Sequence, residues 1–161
     1  NGRVIGRIGK KDPQRKVPGL VLPSAYLDVV VGPDGLLRVT NTGRRRVEAY
    51  TFDGDLEFAW GASSPSIEGF SGCCNPVHLA VLPDGRIVTS EKGLQRVKVY
   101  KPDSPESGGE LESVVASPEV FARGTVSLDI ATDGAGRVLV ADPAAKSIRI
   151  FVRKRTRPVG N

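Results

Sequence analysis

The sequence predicts an all-β protein, a β-propeller segment of about three four-stranded antiparallel blades. Two observations carry that expectation. A unit of roughly fifty residues recurs three times along the 161-residue chain, and a fixed period of that size marks a repeat architecture. The chain also holds 19 glycines and 12 prolines with only short apolar runs, which suits short strands joined by tight turns better than helices.

The first copy contains Gly32-Pro33-Asp34-Gly35, strand-like residues 36–40, a turn at Asn41-Thr42-Gly43 and a second strand over 46–52. The second has Leu82-Pro83-Asp84-Gly85, a strand over 86–90, a turn at Glu91-Lys92-Gly93 and a strand over 96–100. The third runs through Asp133-Gly134-Ala135-Gly136, a strand over 137–141, a turn at Asp142-Pro143 and a strand over 147–151. Gly35, Gly85 and Gly136 are spaced 50 and 51 apart, and Tyr50, Tyr100 and Phe151 repeat that spacing, so insertions are confined to loops. Asp-Gly supplies the positive φ of a tight hairpin, and apolar alternation supplies the flanking strands. Val47, Ala49 and Phe52, then Val97, Val99 and Tyr100, then Ile148, Ile150 and Phe151, are expected to pack between blades.

The pattern of Asp-Gly, a strand ending in a small or acidic residue, a turn, then Arg-Val/Ile-x-Val/Ile-Tyr/Phe resembles the NHL-repeat β-propellers, from about Leu20 to Phe151. The resemblance implies four-stranded blades around a central channel, usually about six of them. Residues 1–19 then read as the outer strand of a preceding blade plus a linker. Residues 20–61, 62–116 and 117–155 are blades 1 to 3, the third lacking its outer strand, and 156–161 form a basic tail. The first residue is Asn1 and the chain opens in mid-pattern, as if processed or cut from something longer. Half a ring leaves blade faces and strand edges open. The expected partner is a protein or a second copy that supplies the remaining blades.

A hydrophobic fraction of 39% with 25% charged residues fits a globular chain, and no run of apolar residues is long enough for a membrane helix. The net charge of +5 bears on association rather than fold. Arg44-Arg45-Arg46 is the densest basic run inside a repeat; Arg46 has the counterpart Arg96, so Arg44 and Arg45 are the candidates for nucleic acid. Aromatics free for base stacking are sparse, which disfavours that partner.

Cys73 and Cys74 are the only cysteines, in Gly72-Cys73-Cys74-Asn75-Pro76. Two reduced thiols, a strained vicinal disulfide or a pair of soft metal ligands all fit adjacent cysteines. A disulfide would favour an oxidising compartment, periplasmic or secreted. His78 is the one histidine, and the repeat places Asp28 and Asp129 at the same position in the other blades. The candidate ligand or partner contacts are therefore Cys73, Cys74, Asn75, His78, Asp28 and Asp129 at one mouth of the channel. Asp28, His78 and Asp129 are also candidates for a divalent metal such as zinc, copper or calcium. In a zinc-dependent peptidyl-hydroxyglycine lyase with an NHL-like propeller, the resemblance places histidine one position earlier, where this chain has Leu27, Val77 and Leu128. Signatures for phosphate-cradling loops, nucleophile elbows and His-Glu-x-x-His pairs are missing.

The expected function is a non-catalytic binding or scaffold module acting within a larger assembly. The alternatives are a metal-dependent lyase or hydrolase with its site in the channel, and an RNA-binding propeller.

Overall fold

The computed structural model describes residues 1–154; the basic tail expected over 156–161 lies outside them. Three antiparallel sheets follow one another along the chain. The first comprises β1 (Val29–Val31), β2 (Leu37–Asn41), β3 (Arg46–Tyr50) and β4 (Leu56–Trp60). The second comprises β5 (His78–Val81), β6 (Ile87–Glu91), β7 (Arg96–Tyr100) and β8 (Leu111–Ala116). A 3₁₀ turn at Pro118–Val120 leads to β9 (Ile130–Thr132), β10 (Val138–Asp142) and β11 (Ser147–Phe151). Each sheet is a meander paired in sequence order, as expected of three successive blades.

The turns form as their residues dictate. Gly35, Gly85 and Gly136 take φ of 79°, 85° and 75°, a region where a side chain is strained. Asp34, Asp84 and Asp133 accept the amides of Leu36, Arg86 and Arg137 across the same hairpins. The innermost strands β1, β5 and β9 stand side by side, and Thr132 Oγ1 donates to the Val81 carbonyl at 2.6 Å between the second and third.

Alternation along the strands gives each blade two faces. Val47 and Trp60 on one face of blade 1 pack with Phe70, Ile87 and Tyr100 of blade 2. The opposite face of blade 2, with Val88, Val97 and Val99, packs with Phe121, Leu128, Ile130, Val138 and Val140 of blade 3. Blade 2 is thus buried on both sides. Blade 3 is covered on one side only: Ile148 and Ile150, at the repeat positions of Val97 and Val99 (0% and 4% exposed), are 61% and 60% exposed. The core expected for those two isoleucines is not formed, because no described residue lies over their face. Phe52 is also exposed; it follows β3, and Tyr50 is the aromatic that enters the core.

Residues 1–9 form no strand, since no described strand runs beside them. Their end nevertheless sits where an outer strand ends. Gly9 lies against Leu20 as Gly61 lies against Phe70, both at positive φ. Ile8 packs on the Tyr50 cluster as Trp60 packs with Tyr100. Blade 3 has three strands among the described residues.

Candidate functional site

The loops that enter the innermost strands and the turns β2–β3, β6–β7 and β10–β11 gather at one end of the blades. Each entering loop is held by a polar side chain at the end of the second strand. Asn41 Oδ1 accepts the amide of Val21 at 3.0 Å, Glu91 Oε2 that of Ser71 at 3.1 Å, and Asp142 Oδ2 that of Ala122 at 3.1 Å. The three acceptors and three donors keep the repeat spacing. Across the hairpin each acceptor meets one further repeat position, Glu48, Lys98 or Arg149. Polarity reverses between blades: Asn41 donates to the Glu48 carboxylate, whereas Glu91 and Asp142 receive Lys98 at 2.9 Å and Arg149 at 2.9 Å. Glu48, Glu91, Lys98 and Asp142 are all buried, so each depends on its partner. Lys98 also donates to the carbonyls of Ile67 and Gly69. Burial holds its ammonium pKa below the usual value against the pull of Glu91.

Sequence reasoning missed these anchors because a buried Lys and a buried Glu read as ordinary surface charge. The signal available was the shared offset of Asn41, Glu91 and Asp142.

At the starts of the innermost strands, the three residues aligned by the repeat meet. His78 Nδ1 lies 3.5 Å from Asp28 Oδ2 and 3.6 Å from Asp129 Oδ1. Both oxygens of Asp28 are already engaged: Oδ1 accepts the Val29 amide at 2.8 Å and Oδ2 the Leu79 amide at 2.9 Å. Burial pushes the Asp28 pKa up, but hydrogen bonds from His78, Leu79 and Val29 outweigh it and hold the carboxyl below its ordinary value. Asp129 Oδ1 accepts the Ile130 amide at 2.8 Å, and its side chain is 75% exposed. The imidazole Nδ1 therefore sits between two carboxylate oxygens, near both and at full hydrogen-bonding distance from neither. Among the described residues no group of three or more His, Cys, Asp or Glu is arranged to hold a metal ion.

Tyr26 meets His78 edge-on at 5.9 Å, and the Lys92 ammonium lies 4.7 Å from the centre of the Tyr26 ring. Cys73 and Cys74 carry free thiols with Sγ atoms 3.1 Å apart, Cys73 exposed and Cys74 buried. Asn75 has no exposed part to offer. It is 1% exposed, its amide nitrogen donates to the carbonyls of Ser71 and Lys92, and its oxygen accepts the Lys92 amide at 2.8 Å. It ties the cysteine loop to the β6–β7 turn, so the contact role expected of it is taken up by loop anchoring.

Arg44 and Arg45 serve neighbouring loops as well. Arg44 donates to the carbonyls of Gly19 and Pro18, and Arg45 Nε to that of Gly72 at 2.7 Å. No family model matches the chain, and no curated protein is significantly similar to it.

Proposed function

We propose that this chain is a non-catalytic binding or scaffold module of the NHL-repeat type, contacting its partner with the blade end that carries Asp28, His78, Asp129, Tyr26 and Cys73. The observation that carries the reading is the meeting of one side chain from each of three successive blades, with Asp129 left open to solvent. Asp28, His78 and Asp129 stand at the starts of the innermost strands, which fixes their positions, and rigid placement lowers the entropy cost of recognition. Two carboxylates beside an imidazole and a tyrosine suit a partner that presents a cation or several hydrogen-bond donors.

The open face of blade 3 supports a place within a larger assembly, because its apolar residues are those buried against a following blade elsewhere in the molecule. A following blade from another segment, another chain or a second copy would cover it. Neither a channel metalloenzyme nor an RNA-binding propeller has a specific observation in its favour.

Cross-linking of the intact protein in extract of its source organism, followed by mapping of the linked peptides, tests the binding face. Partners lost from Asp129→Arg and retained by a variant altered at the far Asp84 turn are expected. Partners held equally by both variants would reject this face.

A further inference from the structure

The two thiols lie in a loop that is fixed on both sides. Before them, Ser71 donates its amide to Glu91, and the Gly72 carbonyl accepts Arg45 Nε. After them, Asn75 makes two hydrogen bonds with the main chain of Lys92, donating at 3.1 Å and accepting at 2.8 Å, and donates a third to the Ser71 carbonyl at 2.7 Å. Between these anchors the sulfur atoms are 3.1 Å apart. A disulfide needs about 2.05 Å, so closure brings the sulfurs roughly 1 Å closer and forms a strained eight-membered ring within the loop.

Access is unequal. Cys73 is exposed and Cys74 is buried, so an external sulfur reaches the first and is shielded from the second. Hydrogen bonding with Cys73 holds the Cys74 thiol pKa below its ordinary value despite burial, aided by Ser24 and by the positive Lys92 and Arg45. A thiolate poised beside a sulfur is the attacking group in thiol–disulfide exchange.

We propose that Cys73 and Cys74 form a reversible dithiol–disulfide couple that exchanges two electrons with a small-molecule disulfide, Cys73 entering first and Cys74 resolving. The Cys73 thiolate attacks one sulfur of the external disulfide, and the other sulfur leaves as a thiol after taking up a proton. The Cys74 thiolate then attacks Cys73 Sγ, breaks the mixed disulfide and releases the second small thiol. The protein loses two hydrogens, and the external disulfide is reduced to two thiols. The couple shares Cys73 with the proposed contact surface but does not depend on what that surface binds, and Lys92 and Tyr26 connect it to His78, so closure would alter the surface beside that residue.

Full-length protein equilibrated in graded mixtures of glutathione and its disulfide, then alkylated and weighed intact, tests the couple. The expected oxidised species is lighter by two hydrogens, carries no glutathione, takes up no alkyl group and returns to two alkylatable thiols on reduction. Cys74→Ser should retain one glutathione on Cys73, and Cys73→Ser should react at least about tenfold more slowly. Glutathione kept on the wild-type protein, a covalent dimer, or two alkylatable thiols at every ratio would overturn the proposal.

Discussion

The carboxylate of Asp28 accepts the main-chain amide of Leu79 at 2.9 Å, a bond between the innermost strands of two successive blades. Its counterpart Asp129 bonds only the amide of the residue beside it, Ile130. Two residues at one repeat position therefore do different work. Replacing Asp28 by Ala strands a partly buried amide and is expected to lower stability by about 1–3 kcal/mol. Asp129→Ala should change it by no more than about 0.5 kcal/mol. Urea unfolding of the two variants checks the contrast.

Glu91 and Lys98 form a buried pair at 2.9 Å, with Arg96 on the same carboxylate at 2.7 Å. Glu91→Gln leaves a buried ammonium without its counter-charge, and a loss of about 3–5 kcal/mol is expected. Adding Lys98→Met removes that ammonium and should restore part of the loss. A double-mutant cycle in urea measures the coupling; strict additivity would show that the pair does not interact.

Hydrogen bonding from Thr125, opposed by burial and reinforced by Ala122, Arg149 and Ala145, lowers the Asp142 carboxyl from 3.8 to about 2. A carboxyl depressed in the folded state stabilises it above the unfolded value, and that contribution fades as pH falls through the folded value. The stability difference between wild type and Asp142→Asn should therefore be constant at neutral pH, shrink below about pH 4 and vanish near pH 2. Thermal unfolding across that range follows it.

Ile150 and Val97 lie on corresponding faces of blades 3 and 2, the first 60% and the second 0% exposed. Val97→Ala is expected to cost about 1–3 kcal/mol. Ile150→Ala should alter the stability of the chain by no more than about 0.5 kcal/mol, and urea unfolding of both variants measures the difference.

The blades were legible because turn chemistry and strand alternation repeat together: Gly35, Gly85 and Gly136 mark one hairpin, and Tyr50, Tyr100 and Phe151 mark one strand end. The alignment also led to Asp28, His78 and Asp129, and the fold places His78 Nδ1 within 3.6 Å of both carboxylates. Less legible were residues whose role depends on a neighbour outside their own repeat unit. Asn75 looks like an exposed loop residue until the β6–β7 turn is placed against it. Lys98 looks like a surface charge until Phe70 and Tyr100 close over it, with the ammonium 4.5 Å and 5.3 Å from their ring centres. Ile148 and Ile150 have the pattern of core residues, and only the position of blade 3 at one side of the stack leaves them uncovered.

Asp103, in the segment between β7 and β8, receives Arg38 at 2.7 Å and the Trp60 indole at 2.6 Å, all three buried where blade 2 meets blade 1. The junction between blades 2 and 3 is joined differently: Ser90 Oγ donates to the Leu128 carbonyl and Thr132 Oγ1 to the Val81 carbonyl, both at 2.6 Å, beside an apolar filling that includes Phe121. The first junction is therefore keyed by charged and aromatic side chains on both partners, the second by hydroxyls that read main-chain carbonyls. A substitute for blade 1 would have to bring the arginine and the tryptophan with it, whereas a substitute for blade 3 would need a hydroxyl and a carbonyl at two positions. Shuffling by recombination would thus meet a more exacting lock on one side of the middle blade than on the other.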